Sequence, residues 1–240
     1  MNENLYILAQ SGHPDLMAAH EFLLKNGFDL RTSPSEAYEW CLREAQAGSI
    51  EAQKALSFLC WSGILGKEDL EQAFRWGVAA SDSGDKEALR TLAGYLLSGI
   101  KGHEDPKRGL EILNGLVLQG DLKANVTLAM FHLSGQHVAK DKARAIELLL
   151  PAAKAQDTLA QCLLGMELID KSNSEVEKEG LRWLQKAAEH QDPEAHRVLA
   201  AFYASGQHGL PADKAKSNHH NKAAETIEAE RVKAFQDSQV

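Results

Sequence analysis

Residues 49–84 read SIEAQKALSFLCWSGILGKEDLEQAFRWGVAASDSG, and residues 85–120 read DKEALRTLAGYLLSGIKGHEDPKRGLEILNGLVLQG. Laid one on the other without a gap, these two 36-residue stretches match Leu56 to Leu92, Gly63 to Gly99, Asp69 to Asp105 and Gly84 to Gly120. The register extends in both directions. One glycine column runs Gly12, Gly48, Gly84, Gly120 and continues as Gln156 and Gln191; a second runs Gly27, Gly63, Gly99, Gly135 and Gly206. A leucine column holds Leu56, Leu92, Leu128, Leu164 and Leu199, and a small-residue column holds Ala37, Ala73, Gly109, Ala145, Gly180 and Ala215. Self-similarity at a fixed period of this length signals a repeat array, in which each unit buries its apolar face on its neighbours.

Each unit is helical twice over. Ala52, Leu56, Leu59 and Cys60, like Ala88, Leu92, Tyr95 and Leu96, recur at the spacing of one helix face. This helix, A, ends at the second glycine column, where a left-handed residue closes a helix without a Cβ clash. Ser33, Asp69, Asp105 and Asp141 then offer N-cap side chains for helix B, and Ser49, Asp85, Asp121, Asp157 and Asp192 do the same for each following helix A. Helix B carries a large column, Trp40, Trp76, Ile112, Leu148 and Trp183, three residues after the small one. The small residue lets backbones approach while the large one fills the space beside it.

The expected fold is therefore all-α: a right-handed α-α superhelix, or solenoid, of antiparallel helix pairs with about 13 helices. It reads as one solenoid domain over residues 1–240, with an N-terminal half repeat at 1–12 and repeats at 13–48, 49–84, 85–120, 121–156 and 157–191. A last repeat at 192–240 carries an extended C-terminal capping helix whose stripe of Ala224, Ile227, Arg231 stem and Phe235 should cover Leu199 and Phe202. Two departures stand out: Lys171 replaces a glycine beside a one-residue deletion, and Pro151 sits inside a helix B, where it should kink or loosen a turn.

These columns resemble the Sel-one-like repeat family, a relative of the tetratricopeptide repeat. The family pattern is matched by Ala124, Leu128, Ala129, Gly135, Asp141, Ala145, Ala152 and Ala153 in one repeat, and by Ala195, Leu199, Ala200, Tyr203 and Gly206 in another. The resemblance implies a helical adaptor or scaffold rather than an enzyme. A branch with cysteine-rich repeats and reported antibiotic-hydrolase associations is disfavoured, because its cysteine pairs are missing.

Composition narrows the function classes further. Hydrophobic residues make up 44% and charged residues 25% of the 240, the profile of a folded chain, and aromatics at 6% lean away from sheet. A net charge of −8 makes nucleic acid or an anionic membrane a poor partner. Cys41, Cys60 and Cys162 are odd in number and unpaired in spacing, so reduced thiols in a cytoplasmic protein are expected. No apolar run approaches the roughly 18 residues of a membrane span, and the N-terminus lacks a basic leader-like region.

No catalytic or metal motif emerges. Gly63 to Lys67 has the wrong spacing for a phosphate loop, and adjacent His219 and His220 diverge by about 100° on a helix, so no cofactor or metal is expected. What remains is surface. Two helix A columns vary from repeat to repeat: Lys54, Arg90, Val126, Cys162, Arg197, and Phe58, Gly94, Met130, Met166, Ala201. On the concave side of a solenoid, Lys54, Phe58, Arg90, Val126, Met130, Met166 and Arg197 become the candidate partner-binding residues. Methionine and phenylalanine supply adaptable apolar contacts there, and the cations suggest a partner segment with some negative charge. Trp61, Leu97, Leu133 and Ile169 are uniformly apolar and read as core. The expected function is a noncatalytic scaffold or adaptor that binds a protein or peptide in the groove. The alternatives are an immunity or inhibitor protein for a toxin or effector enzyme and, from another class, a hydrolase acting on cell-wall or β-lactam substrates.

Overall fold

The structure, a computed structural model, describes residues 13–64, 67–169 and 174–237. The expected half repeat at 1–12 and the Lys171 departure lie outside these residues. Among the described residues twelve α-helices follow one another: α1 Pro14–Lys25, α2 Pro34–Gln46, α3 Ile50–Ser62, α4 Leu70–Ser81, α5 Lys86–Ser98, α6 Pro106–Leu118, α7 Leu122–Ser134, α8 Lys142–Lys154, α9 Thr158–Leu168, α10 Ser174–Glu189, α11 Pro193–Ser205 and α12 Lys214–Asp237. No strand occurs among the described residues. Odd-numbered helices are the A helices and even-numbered ones the B helices. Sequence neighbours such as α3 and α4, α7 and α8, or α9 and α10 pack on each other, and α1 also packs on the next helix A, α3.

Aspartates start the helices as their spacing predicts. The side chains of Ser49, Asp85, Asp121, Asp157 and Asp192 accept the backbone N–H three residues on at 2.7–3.3 Å. Asp69, Asp105 and Asp141 do the same for α4, α6 and α8. Ser33 departs from the pattern: its hydroxyl donates to the Asp29 carbonyl at 3.2 Å and makes no cap bond, because a local carbonyl competes for it. Gly63, Gly99, Gly135 and Gly206 close helices A in the left-handed region, at φ of 64° to 76°. Gln156 and Gln191 keep the same turn as their glycine counterparts at φ of 67° and 61°, against a steric cost of roughly 1–2 kcal/mol. Pro151 is exposed, and α8 runs on past it to Lys154, so no break follows there.

The leucine column, Leu56, Leu92, Leu128, Leu164 and Leu199, is buried throughout, as are Ala37, Ala73 and Ala145 of the small column. Ala215, its last member, is exposed. The glycines of this column sit tightest. A Cβ on Gly180 would lie 2.8 Å from the Gly165 carbonyl, and one on Gly165 would lie 2.9 Å from the Gly180 carbonyl, so α9 and α10 meet backbone to backbone.

The described residues fall into two compact units, one running to Leu116 and resuming at Glu230, the other Val117–Ala229. The first has a core of Leu16, Leu23, Leu30, Cys41, Leu56 and Leu59. In the second, Cys162, Leu184, Ala187 and Leu199 pack together. Along Lys214–Ala229, α12 lies on α11: the Nδ1 atoms of His196 and His220 are 2.8 Å apart, and the Tyr203 and His220 rings stack at 5.6 Å. Its final turns correct the expectation that the whole stripe covers α11. Phe235 is fully buried in the core of the first unit, its ring 4.6 Å from His20. Arg31, gripped by Asp29 at 2.6 Å, donates to the Phe235 and Gln236 carbonyls, setting a cation at the end of α12.

Gly180→Ala should lose about 1–3 kcal/mol in urea unfolding, since backbone must move; Gly115→Ala, with no atom within 4 Å of the new Cβ, should gain about 0.5–1 kcal/mol. Phe235→Ala should cost about 3–5 kcal/mol, read by the same unfolding curves. Burial holds the imidazoles of His20, His196 and His220 below their ordinary 6.5; Asp29 and Arg31 are near the first, and Asp192, Lys216 and His219 near the other two. Above pH 6.5 folded and unfolded chains are both neutral at these sites and the stabilisation is complete; as pH falls below 6.5 the unfolded chain takes protons that the fold resists, and stability declines. Urea midpoints at pH 7.5 and 5.5 should show this fall, and His196→Gln should reduce it.

Candidate functional site

The helix A faces left over after packing converge in the first unit on a cavity of about 330 Å³. On α3 the lining residues Glu51, Lys54, Ala55, Phe58 and Trp61 follow helical spacing, acidic at the start of the helix and aromatic toward its end. On α1 the same order runs from Asp15 to Phe22, and on α5 from Glu87 to Tyr95. Small residues, Ala18, Ala55, Ala88 and Gly94 among them, leave the space open. A Cβ on Gly94 would meet nothing within 4 Å.

Lys54 links neighbouring repeats. Its Nζ lies 2.6 Å from Glu87, 3.2 Å from Glu51 and 3.7 Å from Asp85. Burial alone would lower its pKa, but the carboxylates of Glu87 and Glu51 outweigh that and raise it, so the ammonium stays charged. Asp15, Glu51 and Glu87 are themselves 36 apart in sequence and all line the cavity. The column continues as Lys123, Leu159 and Glu194 in later repeats, so helix A does not require an acid at this position.

The aromatic wall is made by Trp61, Phe58 and His13. The Phe58 and Trp61 centroids are 6.1 Å apart, and the His13 ring is 5.6 Å from each. Tyr95 is fixed at the base of the cavity: the Ser57 hydroxyl donates to the Ala73 carbonyl at 2.9 Å, so the phenol donates to Ser57, also at 2.9 Å. Gly77 makes room for that ring, since a Cβ there would meet Tyr95 at 2.9 Å. Burial pushes the Tyr95 phenol up to about 12, which makes it a fixed hydrogen-bond donor at neutral pH.

Of the seven expected partner-binding residues, the cavity brings together Lys54 and Phe58. Phe58 is only 6% exposed: it lines the cavity and belongs to the core of the first unit. Arg90 is half-buried on α5 and is not among the lining residues. In the second unit Val126 is 5% exposed and serves packing, whereas Met130 is 47% exposed. Met166 packs against the cluster around Cys162 and Leu184. Arg197 pairs with Glu228 at 2.5 Å and Glu194 at 3.5 Å. Lys54 and Arg197, expected as free groove cations, are each paired with the protein's own carboxylates. Trp61 is corrected too: it is 36% exposed at the cavity rather than core. The sequence reading also missed Asp15, Glu51 and Glu87, whose 36-residue spacing was visible but whose place in the first helical turn equally suits the helix dipole.

The three thiols are free and buried, and burial raises Cys41 to about 12, Cys60 to about 11, and Cys162 further still. None is a thiolate at neutral pH. Among the described residues no group of three or more His, Cys, Asp or Glu could hold a metal ion, and no helix is long and apolar enough to cross a membrane.

No curated protein matches the chain. Among solved structures it is similar to a Sel1 repeat protein from Oxalobacter formigenes, with 24% identity and a TM-score of 0.68 over 78% of this chain and 75% of that one. It is also similar to c5321, a protective antigen of uropathogenic Escherichia coli strains displaying an SLR fold, with 22% identity and a TM-score of 0.70 over 86% of this chain and 44% of that one. The Sel1 repeat model matches residues 16–49, 50–85, 122–157, 158–192 and 193–224. With most of its length matched in this way, the chain belongs to the Sel1 repeat family, whose members are generally helical-repeat scaffolds for protein interaction.

Proposed function

We propose that the chain is a noncatalytic adaptor that binds a partner protein or peptide along its helix A faces, with the cavity between α1, α3 and α5 as the principal site. The observation that carries this reading is an open cavity whose walls combine rigid aromatics with charged side chains, on the faces of helix A that the repeat does not need for packing. Lys54 and Phe58 line it, and Trp61, exposed beside them, is the anchor most available to a partner. Met130 occupies the equivalent position of the Phe58 column in the second unit, where it is an exposed, adaptable apolar side chain. A preformed site of this kind needs little ordering on binding. Three buried thiols suit a reducing cytoplasmic setting. A regulatory or secretion-linked adaptor is the leading version; the net charge of −8 equally suits capture of a basic toxin, the immunity reading.

Filling the cavity tests the proposal without unfolding the protein. Gly94→Phe reproduces the residue found at Phe22 and Phe58 in the same column, enters open space, and gains about a few tenths of a kcal/mol of helix propensity. In affinity capture from the native cytosol, proteins retained by wild type should be lost on the variant while its melting temperature stays level or rises. Retention of the same proteins by both would place binding elsewhere, and no retention by either would remove the adaptor reading.

A further inference from the structure

We propose that the cavity receives the side chain of an arginine or lysine carried by a basic polypeptide segment, its aliphatic stem on the aromatic wall and its charged head among Asp15, Glu51 and Glu87; this rests on the protein-binding reading above and names the chemistry of its partner. The cavity volume of about 330 Å³ sits at the small end of ligand sites, which run from about 300 to 1,000 Å³, and so suits one large side chain better than a bulky cofactor. Three carboxylates line it against a single ammonium, Lys54. Lys54 also shows that these carboxylates can hold a cation, since two of them already lie 2.6 and 3.2 Å from its Nζ. The aromatic residues supply what a carboxylate cluster alone lacks: Trp61, 36% exposed at the cavity, offers aromatic surface to which a guanidinium or ammonium is attracted, and with Phe58 it gives apolar area for the methylene stem.

Asp15, Glu51 and Glu87 come from three successive helices A and meet at this one cavity. The same position holds Lys123, Leu159 and Glu194 in later repeats, so the fold accepts an acid there without requiring one. Successive helices A pack roughly 8–10 Å apart, a spacing that an extended chain covers in about three residues. A segment crossing the A helices can therefore present a basic side chain to the cavity while its neighbours remain on the helix surfaces.

The test uses the full chain, nitrogen-15 labelled, with the indole N–H signal of Trp61 assigned by its loss in Trp61→Phe. Four probes are titrated: n-butylguanidinium, its neutral isostere n-butylurea, pentanoate, and the peptide acetyl-Leu-Arg-Leu-amide. Butylguanidinium should shift the Trp61 signal saturably, about tenfold more tightly than butylurea, the margin expected of a charge-assisted pairing. The peptide should bind at least as tightly, and pentanoate should not compete. Glu51→Gln or, should that variant fold poorly, Asp15→Asn should remove most of the preference for butylguanidinium over butylurea. Equal binding of butylurea, preferential binding of pentanoate, or no saturable shift would overturn the proposal. Binding of butylguanidinium without the peptide would also overturn it, in favour of a small free cation. These failures are separable from failure of the adaptor reading, because capture by wild type and loss on Gly94→Phe do not depend on the charge of the occupant.

Discussion

The contact on which the architecture depends is the close approach of helix B to the helix A before it, permitted by one small residue per repeat. Ala37, Ala73 and Ala145 fill this position fully buried, and at Gly180 even a methyl group would collide with the facing backbone. A larger residue there would push the helices apart and open voids around the leucine column, whose members rely on dense packing for their contribution. The same contact explains the turns. Once helix A and helix B lie this close, the connection must reverse within a few residues, and the left-handed residue at Gly63, Gly99, Gly135 and Gly206, followed by a capping aspartate in the repeats from Asp69 onward, accomplishes this.

Fixing helix B on one side of helix A leaves the opposite face of helix A less constrained, and there the repeats diverge. In the first unit the divergence produces a cavity. Gly94 stands where Phe22 and Phe58 stand in the earlier repeats, and alanines line the α1 and α3 faces, so the aromatic side chains border an opening instead of closing it. In the second unit the corresponding column holds Met130 and Met166, the one exposed and the other packed, and Val126 is buried. The same repeat thus yields different surfaces without a change of backbone plan, which is the property a binding scaffold requires.

Much of this was legible in the sequence because a fixed period averages over noise. Columns at 36 residues gave the helices, the small-on-large packing and the caps, and these depend on residue type at one position. What the columns did not reveal depends on pairs. Lys54 reads as a free groove cation until Glu87, one repeat further on, is seen 2.6 Å from it. Trp61 shares a column with buried Leu97, yet it stands exposed at the cavity beside Phe58 and His13. Phe235 has the helical spacing of a stripe, but spacing along one helix says nothing of which partner that helix meets, and it packs among Leu16, Leu23 and Leu30. The carboxylates at 15, 51 and 87 were readable as a column and ambiguous in meaning, since an acid in the first helical turn is favoured by the helix dipole alone.

The central claim, that the helix A cavity of the first unit is where a partner binds, is tested most directly by site-specific photo-crosslinking in native cytosol. A benzophenone amino acid placed at Trp61, beside the cavity, is compared with one at Leu118, an apolar side chain that is 89% exposed. The account predicts a discrete crosslinked product from position 61 and none from position 118. A product from position 118 with none from position 61 would contradict it.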